Sequence, residues 1–442
     1  MMIYRQGKAL AISAVIVSAL FAHPVFATND AMKELLQVLR DNGTISEEAY
    51  SVLKNSVEAD AERSHAEIEK NTDKKIAKMV DADNKTKWAE KIKLKGDLRL
   101  RREYSKVNDA DDSDDPSRTR YRYRLRLGAE GKVNDDVKVG LGLASGSDDP
   151  TSTNETLDDT FSTKDIRVDY AYAEWQPMEH AKVVAGKFKR KSYLWAPTDL
   201  LWDGDINPEG LSVHFENKNT AGKTYVNAGI WILDEESGSK DDPFMKYIQL
   251  GHKFKVDNVY GNVAGTLYRF DDVEGEPLLD HVRGSNTVDA DGNYQYDYDS
   301  LGLSAELGLK DVFMPGKIFA VFGDYIKNSD SKEDKGYAVG FKFGDKKVRN
   351  RHQWQFKYIY ADLEQDAFLD NFPDSDRFGG QTAVKGNEFI FNYGLHKNVV
   401  FGIDYYDSEL DVPESAHFAL SLIHISEPTR LWHISYAVFC LK

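Results

Sequence analysis

Residues 118–132 constrain the fold of this chain more than any other stretch, because their side chains alternate strictly in character. The sequence there is RTRYRYRLRLGAEGK. Successive side chains of a β-strand point to opposite faces, so a strand here has one apolar and one cationic face. The apolar face carries Tyr121, Tyr123, Leu125, Leu127 and Ala129, and the opposite face carries Arg120, Arg122, Arg124, Arg126 and Glu130. A soluble sandwich also has one wet face, so the recurrence of the pattern and the links between its repeats decide its meaning.

The alternation recurs in about fifteen segments from residue 91 onward. Most are long enough for the ~9 to 11 residues of a tilted membrane strand. Long polar links cover residues 105–117, 146–164, 192–209, 234–243, 271–294, 328–335, 362–385 and 407–417, and short links cover residues 133–136, 176–180, 217–222, 257–258, 311–316, 345–347 and 397–398. Long outer loops alternating with short periplasmic turns are typical of an outer-membrane barrel. We therefore predict an all-β transmembrane barrel over residues 90–418, antiparallel and up-and-down, with about sixteen strands.

The cost of exposing arginine to lipid decides which face points outward. A lipid-facing arginine at mid-membrane costs ~2 to 4 kcal/mol. A slip of one residue in the segment 118–132 would expose four arginines to lipid, so the apolar face must meet the hydrocarbon and the arginines must line an aqueous bore. The same reasoning predicts that Ile166, Val168, Tyr170 and Tyr172 face outward.

Residues 1–27 are typical of a secretory signal peptide. Arg5 and Lys8 precede an apolar run over residues 9–22, and residues 25–27 suit a cleavage site. That run is shorter than the ~20 residues of a spanning helix. The formal net charge of −16 argues against a nucleic-acid-binding protein, and the single cysteine, Cys440, excludes a disulfide framework within the chain. We expect export to the outer membrane of a Gram-negative bacterium.

Residues 28–89 show a helical pattern, which we place in the periplasm. A first short helix ends near Asn42 and Gly43, and Thr44 with Glu47 fits a capping box that starts a longer helix. The apolar stripe thins after residue 59. Three roles stay open for this segment: a weak coiled coil that joins subunits, an extension toward the cell wall, and a solvated linker helix.

Basic side chains crowd the predicted bore near the first strands. They are Lys93, Lys95, Arg99, Arg101, Arg120, Arg122, Arg124 and Arg126, followed by Lys187, Lys189 and Lys191 on the fifth strand. Inward acidic residues such as Asp97 and Glu103 are fewer. Because a row of fixed cations attracts anions, we predict a moderate preference for anions. In the alternative interpretation, these arginines pair with acidic neighbours or with an inward loop and only support the wall.

The link at residues 192–209, SYLWAPTDLLWDGDINPE, is too apolar for a loop in free solvent. We predict that it folds inward as a constriction. Its main side chains would be Trp195, Asp199, Trp202, Asp203 and Asp205. The three aspartates would then face the basic wall and create a transverse field. The alternative is an ordered cap or a subunit contact at the rim.

No motif in the sequence indicates catalysis, a cofactor or a metal. GxSxG, a Walker-type phosphate loop and HExxH are all absent. We therefore predict a protein that is not an enzyme and that allows passive diffusion of small hydrophilic solutes. Two other functions stay open, namely an exported β-rich adhesin and an outer-membrane barrel hydrolase.

At residues 88–103, WAEKIKLKGDLRLRRE, preceded by the helical LLQVLRDNGTISEEAYSVLK of residues 35–54, the sequence resembles the bacterial putative porin family. The resemblance covers roughly residues 35–418 and is most specific at KGDLRLR. It implies an outer-membrane diffusion channel with a short helical segment before a sixteen-stranded barrel, in contact with membrane lipid and lipopolysaccharide. A homotrimer is compatible with the same resemblance.

The C-terminus departs from that family, whose barrels end on an amphipathic strand with a terminal aromatic residue. Residues 421–430, SLIHISEPTR, and the residues up to 442 resemble translated sequencing-adapter DNA. Pro428 interrupts the segment, and fifteen strands are one short of the even number that bacterial barrels use. We therefore expect residues 419–442 to be a non-native tail and the native last strand to be missing.

Overall fold

The alternating segments form seventeen β-strands in the computed structural model. The structure describes residues 25–86, 92–108, 117–235, 237, 242–411 and 417–431. The strands are β1 (Ile92–Asn108), β2 (Ser117–Lys132), β3 (Val137–Ser145), β4 (Glu155–Thr156), β5 (Ile166–Met178), β6 (Ala181–Lys187), β7 (Glu209–Asn219), β8 (Gly222–Ile232), β9 (Phe244–Val256), β10 (Val259–Asp271), β11 (Ser300–Lys310), β12 (Ile318–Asn328), β13 (Lys335–Gly344), β14 (Trp354–Leu363), β15 (Val384–His396), β16 (Val399–Leu410) and β17 (His417–Leu431).

The strands form one antiparallel sheet that closes on itself. β17 pairs with β16 on one side and with β1 on the other, and β1 also pairs with β2. β4 has two residues and pairs with β2 beyond the end of β3. The closed wall therefore consists of the sixteen other strands, which confirms the predicted barrel. Closure satisfies the backbone groups that an open sheet edge would expose to hydrocarbon.

The two faces of the wall differ as the alternation predicts. On the outer face of β2, Tyr121 is 56% exposed and Leu127 is 48% exposed. On the inner face, Arg122 donates to the backbone of Asn154 at 3.1 Å. An apolar outer surface around a polar interior is the arrangement that a barrel in a lipid bilayer requires.

A β-bulge reverses the faces of one strand. Gly142 of β3 lies opposite Tyr170, whereas the next residue lies opposite Val168, which leaves Asp169 as the extra residue of β5. Tyr170 consequently turns inward and is 3% exposed, and the Tyr172 hydroxyl donates to an inward carboxylate of β2 at 3.3 Å. The prediction that both tyrosines face outward is wrong, because one extra residue shifts the alternation by one position.

The last strand corrects the prediction that the barrel is one strand short. β17 fills the place between β16 and β1, with Glu409 opposite His417 and Leu94 opposite Leu431. Pairing with β16 ends at Ser426, before Pro428, whereas pairing with β1 continues past Pro428, which lies opposite Asp97. The non-native origin of residues 419–442 stays a prediction, and residues 432–442 lie outside the described residues.

Two helices, α1 (Val25–Asp41) and α2 (Glu47–Thr86), belong to a unit distinct from the barrel. Gly43, two residues after the end of α1, has φ of 64°, a backbone conformation that favours glycine at a helix end. The cap of α2 is Ser46, whose Oγ accepts from the Ala49 amide at 3.2 Å, so the predicted cap at Thr44 is wrong by two positions. The predicted signal peptide falls mostly on residues 1–24, which lie outside the described residues. Neither described helix is long and apolar enough to cross a membrane.

Candidate functional site

The inner face of β1 and β2 carries the arginine wall, defined here as Arg99, Arg101, Arg120, Arg122, Arg124 and Arg126. Strand register sets these side chains next to one another, since Arg99 lies opposite Arg124 and Arg101 lies opposite Arg122. Like charges in opposite positions repel. The wall therefore needs anionic groups close by to be stable.

Two carboxylates of β1 neutralise part of the arginine wall. Asp97 Oδ2 lies 2.5 Å from Arg124 Nη2. Glu103 is 2% exposed, lies 3.4 Å from Arg122 Nη1 and also pairs with Arg120. Both acids were visible in the sequence as inward residues.

Carboxylates from two distant loops neutralise most of the remainder. Asp205 Oδ1 lies 2.6 Å from Arg126 Nη2, and both oxygens of Asp376 accept from Arg101 at 3.0 Å. Arg99 instead donates to a side-chain amide oxygen at 2.5 Å. The alternative interpretation, in which arginines pair with acidic neighbours and an inward loop, therefore describes most of the arginine wall.

The first inward loop, residues 188–208, lies inside the barrel because its aromatic side chains pack there. Trp202 is 2% exposed. Its ring centre lies 5.3 Å from that of Trp231 on β8, 5.3 Å from that of Phe368 and 5.1 Å from that of Phe372. Packing of these large rings removes apolar surface from water and stabilises the inward position of the loop.

Hydrogen bonds tie the first inward loop to the wall on the far side of the bore. The amide and hydroxyl of Thr198 donate to Asp324 on β12 at 2.9 and 2.5 Å. The Trp195 amide donates to Gln249 Oε1 on β9 at 3.0 Å, and Gln249 Nε2 donates back to the Trp195 carbonyl at 2.8 Å. Since Asp205 of the same loop contacts β2, the loop crosses the bore.

Asp203 and Asp205 belong to one loop but lie in different electrostatic environments. Burial, and then repulsion from Asp205, raises the pKa of Asp203 to about 7, although Asp203 accepts from the amide and hydroxyl of Ser375. Burial also opposes ionisation of Asp205, but Arg126 and Arg124 outweigh it and lower the pKa of Asp205. Near neutral pH, Asp205 is a fixed anion whereas Asp203 changes charge.

A second inward loop, residues 364–383, completes the site and was not predicted to do so. Its Phe368 and Phe372 pack on Trp202, and its Asp376 holds Arg101. The sequence FLDNFPDSDRF of residues 368–378 mixes large apolar and acidic residues, the same signal that identified the first inward loop. This composition by itself could have indicated that residues 364–383 fold inward.

A buried polar network joins both inward loops to the wall. Carboxylate oxygens of Asp199, Asp374 and Glu388 lie within 4.8 Å of one another. Arg377 Nη2 lies 3.0 Å from Glu388, and the Tyr406 hydroxyl donates to Asp374 at 3.0 Å. Burial, followed by repulsion from Asp199, raises the pKa of Asp374. Protonation and the guanidinium together let these acids lie close to each other.

The lysines predicted to line the pore occupy different places. Lys95 faces inward and pairs with Glu130 at 2.5 Å, while Lys93 lies directly opposite Glu130 in the strand register. Lys187 lies opposite the exposed Ala171 and pairs with a glutamate of β7 at 2.8 Å. The prediction that Lys187 lines the pore is wrong. Val184 of β6 is buried on the inner face, and Lys187, three residues later on the same strand, points to the opposite face.

Lys189 and Lys191 lie beyond the end of β6 and not on a strand as predicted. Both line a pocket of about 330 Å³ together with Arg126 and Asp205. Lys189 Nζ lies 4.2 Å from the ring centre of Tyr170. Neither lysine has a carboxylate within 4.0 Å among the described residues. Burial lowers the pKa of both lysines.

The chain is similar to several solved structures, and the first of them shares the barrel fold. The high-pH structure of OprB from Pseudomonas putida matches with a TM-score of 0.52 at 12% identity, over 77% of this chain and 95% of that chain. OmpF from Salmonella typhi in complex with daunomycin matches with a TM-score of 0.44 at 10% identity, over 77% and 99% of the two chains. A mutant of Rh. blastica porin matches with a TM-score of 0.42 at 10% identity, over 76% and 100%.

Sequence comparison identifies the family. Curated proteins give no match. A family model described as "Putative porin" matches residues 112–302 and 285–425, which together make up more than half of the chain. The chain therefore belongs to the putative porin family and is an outer-membrane porin channel.

Proposed function

We propose that this porin lets small hydrophilic solutes diffuse passively and that it prefers anions. One observation carries the proposal: a loop with fixed charges crosses the bore of a closed barrel and lies against the arginine wall. Such a channel sorts solutes by size and by fixed charge and needs no catalytic group. Porins are channels and not enzymes, which leaves the hydrolase and adhesin alternatives without support.

The proposed constriction lies to one side of the bore and not at its centre. Trp202 anchors the first inward loop to the aromatic cluster beside β8, so that side of the bore is filled by protein. Trp195 holds the loop to β9 through Gln249. The path for solutes then runs beside the arginine wall, where Asp205 lines the same pocket as Lys189 and Lys191, while Asp203 lies buried against the second inward loop.

The predicted anion preference depends on cations that lack a carboxylate partner. Most of the arginine wall is paired, so it supports the wall and contributes less field than its composition implies. Lys189 and Lys191 have no such partner among the described residues and face the pocket beside Asp205. These two lysines belong to the part of the predicted basic lining that supports anion preference at the constriction, as does Arg99, which donates to an amide oxygen and not to a carboxylate.

The zero-current potential of the purified protein in a planar bilayer tests the preference. Under a KCl gradient, a potential of the sign set by chloride is expected. Replacing both Lys189 and Lys191 with glutamine should move that potential toward the cation side, and Lys187→Gln is the matched control because its side chain lies on the outer face. Cation preference of the unmodified protein would contradict the proposal.

Deletion of residues 194–206 tests the constriction. Removal of the segment that crosses the bore should raise single-channel conductance, since the narrowest part of the path then disappears. An unchanged conductance in a variant that still migrates as a folded barrel would show that the loop only caps the rim.

The same family assignment supports three further proposals. We place the barrel among outer-membrane lipid and lipopolysaccharide, with α1 and α2 in the periplasm, and we propose a homotrimer. Exposed outer residues such as Leu100, 55% exposed, supply the apolar band. Chemical cross-linking in intact cells should give a species of three chains, whereas a monomer alone would exclude the trimer.

A further inference from the structure

Five lysines lie close together at the end of the barrel that carries the short links, and we call this set the lysine cluster. Its members are Lys253 on β9, Lys310 on β11, Lys342 on β13, Lys346 in the link after β13 and Lys357 on β14. Each strand member lies within three residues of a strand end at a short link. Neither the predicted basic lining nor the constriction includes any of them.

Two rings of the inner wall gather these side chains. Four of the lysines place Nζ over Tyr260 or Phe322, which are 9% and 6% exposed. The distances from Nζ to the ring centres are 4.7 Å for Lys346 and 6.0 Å for Lys310 at Tyr260, and 5.6 Å for both Lys342 and Lys357 at Phe322. Cation–π attraction holds an ammonium group over a ring, so each of the two rings holds two lysines of the cluster.

The lysine cluster has one carboxylate in direct contact among the described residues, and the charges of Glu388 and Asp404 act on Lys357 from beyond 4.0 Å. Glu306 lies 2.8 Å from Lys342. Of the residues that the structure describes, no other acid comes within 4.0 Å of a member of the cluster. Most members of the arginine wall, in contrast, have a carboxylate partner. The larger unpaired positive charge therefore lies on β9 to β14 and not on β1 and β2.

Mutual repulsion within the cluster is visible at Lys346, which lies in a link outside the strands. Burial, followed by repulsion from Lys310 and Lys253, lowers the pKa of Lys346. Glu306 opposes this effect but does not cancel it. An anion that entered the cluster would relieve the repulsion and would favour the charged form of each lysine.

We infer that the lysine cluster binds a small oxyanion with two negative charges, of the class of inorganic phosphate or a short dicarboxylate. The inference rests on the proposed channel function. Lysine acts as a compact point charge toward phosphate and carboxylate oxygens, and a divalent anion gains twice the Coulomb energy of chloride. Flexible side chains in contact with water hold such an anion weakly enough for it to leave again, as conduction requires.

The experiment measures how inorganic phosphate reduces the chloride current through the protein in a planar bilayer. The variant replaces Lys310 and Lys346 with glutamine. Removing two positive charges at ~8 Å from a divalent anion should raise the half-blocking phosphate concentration about fivefold at ~0.1 M salt. The matched control is Lys138→Gln, because Lys138 faces the bore on β3 and is already paired with Glu174 at 3.1 Å. A second variant with arginine at positions 310 and 346 keeps both charges and should retain the block.

The outcomes separate this inference from the channel function. Loss of block in the glutamine variant, with block kept in the control and in the arginine variant, supports the lysine cluster as the site. Equal block in the glutamine variant and the unmodified protein overturns it while leaving the channel intact, and so does a channel that phosphate does not block at all. A protein that forms no conducting channel overturns the proposed function and this inference with it. Succinate in place of phosphate should give the same ranking of variants, because the site recognises charge and not phosphorus.

Discussion

Asp205→Asn tests whether the first inward loop is held to the arginine wall by charge. Asp205 Oδ1 lies 2.6 Å from Arg126 and 3.8 Å from Arg124. Its Oδ2 accepts from the amide and hydroxyl of Thr153 at 3.2 and 3.0 Å. Asparagine keeps the size and one acceptor oxygen for Thr153, so the substitution removes the negative charge and the acceptor that faces Arg126.

The expected loss of stability follows from what remains beside each arginine. Arg124 keeps Asp97 at 2.5 Å, whereas Arg126 has no second carboxylate within 4.0 Å among the described residues. The side chains of Asp205 and Arg126 are 13% and 23% exposed, so screening by water is incomplete. Leaving one largely buried guanidinium unpaired should lower the free energy of unfolding by about 2 to 4 kcal/mol.

Two measurements test this prediction: the stability of the protein should fall while its preference for anions should rise. The midpoint of urea unfolding in detergent should fall, while the zero-current potential should move further toward the anion side because the bore loses one negative charge. The control is Asp165→Asn, whose partner Arg167 lies at 3.3 Å but whose side chain is 77% exposed; its effect should stay below about 1 kcal/mol. An Asp205→Asn protein with unchanged midpoint and unchanged potential would refute the ionic attachment of the loop.

Three further substitutions probe the pH response, the bulged wall and the outer face. Burial raises the pKa of Asp203 to about 7, so its carboxyl is neutral below that pH and anionic above it. The anion-to-cation permeability ratio should therefore fall as pH rises through 7. Asp203→Asn should abolish this pH dependence, and a dependence that persists would belong to another group. A side chain at Gly142 would overlap the Tyr170 ring, so Gly142→Val should lower the free energy of unfolding by about 1 to 3 kcal/mol in urea titrations. Adding Tyr170→Ala should restore part of that free energy. If it restores none, the valine clashes with another residue. Leu98 is 45% exposed near the middle of β1, and Leu98→Arg should destabilise the barrel in bilayers by about 2 to 4 kcal/mol, whereas a neutral effect would show that this face does not meet hydrocarbon.

The sequence predicted the inward position of the first inward loop but not that of the second, although both loops mix apolar and acidic residues. The apolar and acidic mixture at residues 192–209 indicated inward folding, and Trp202 is indeed buried. The second inward loop carries a similar mixture around Phe368 and Phe372, but its role became visible only through their contacts with Trp202. An apolar composition shows that a loop must be buried against other residues, but it does not show which residues those are.

The prediction of side-chain direction was wrong at positions where the pairing between strands and the alternation within one strand disagree. Tyr170 follows an alternating pattern in the sequence, yet the register shift opposite Gly142 turns it inward. Lys187 is the last residue of its strand and falls on the outer face. Both depend on how a strand meets its neighbour, which alternation within that strand does not record.

The sequence by itself determined that this chain forms a barrel and which face of Tyr121 to Leu127 meets lipid, since the period of a strand and the cost of exposing arginine to hydrocarbon are both local properties. Only the tertiary structure decided what the basic lining does. Asp376 pairs with Arg101 although 275 positions separate them, and the lysine cluster draws its members from four strands and a link. The field in the bore depends on which charges meet in space, and closure of the barrel, not order along the chain, brings them together.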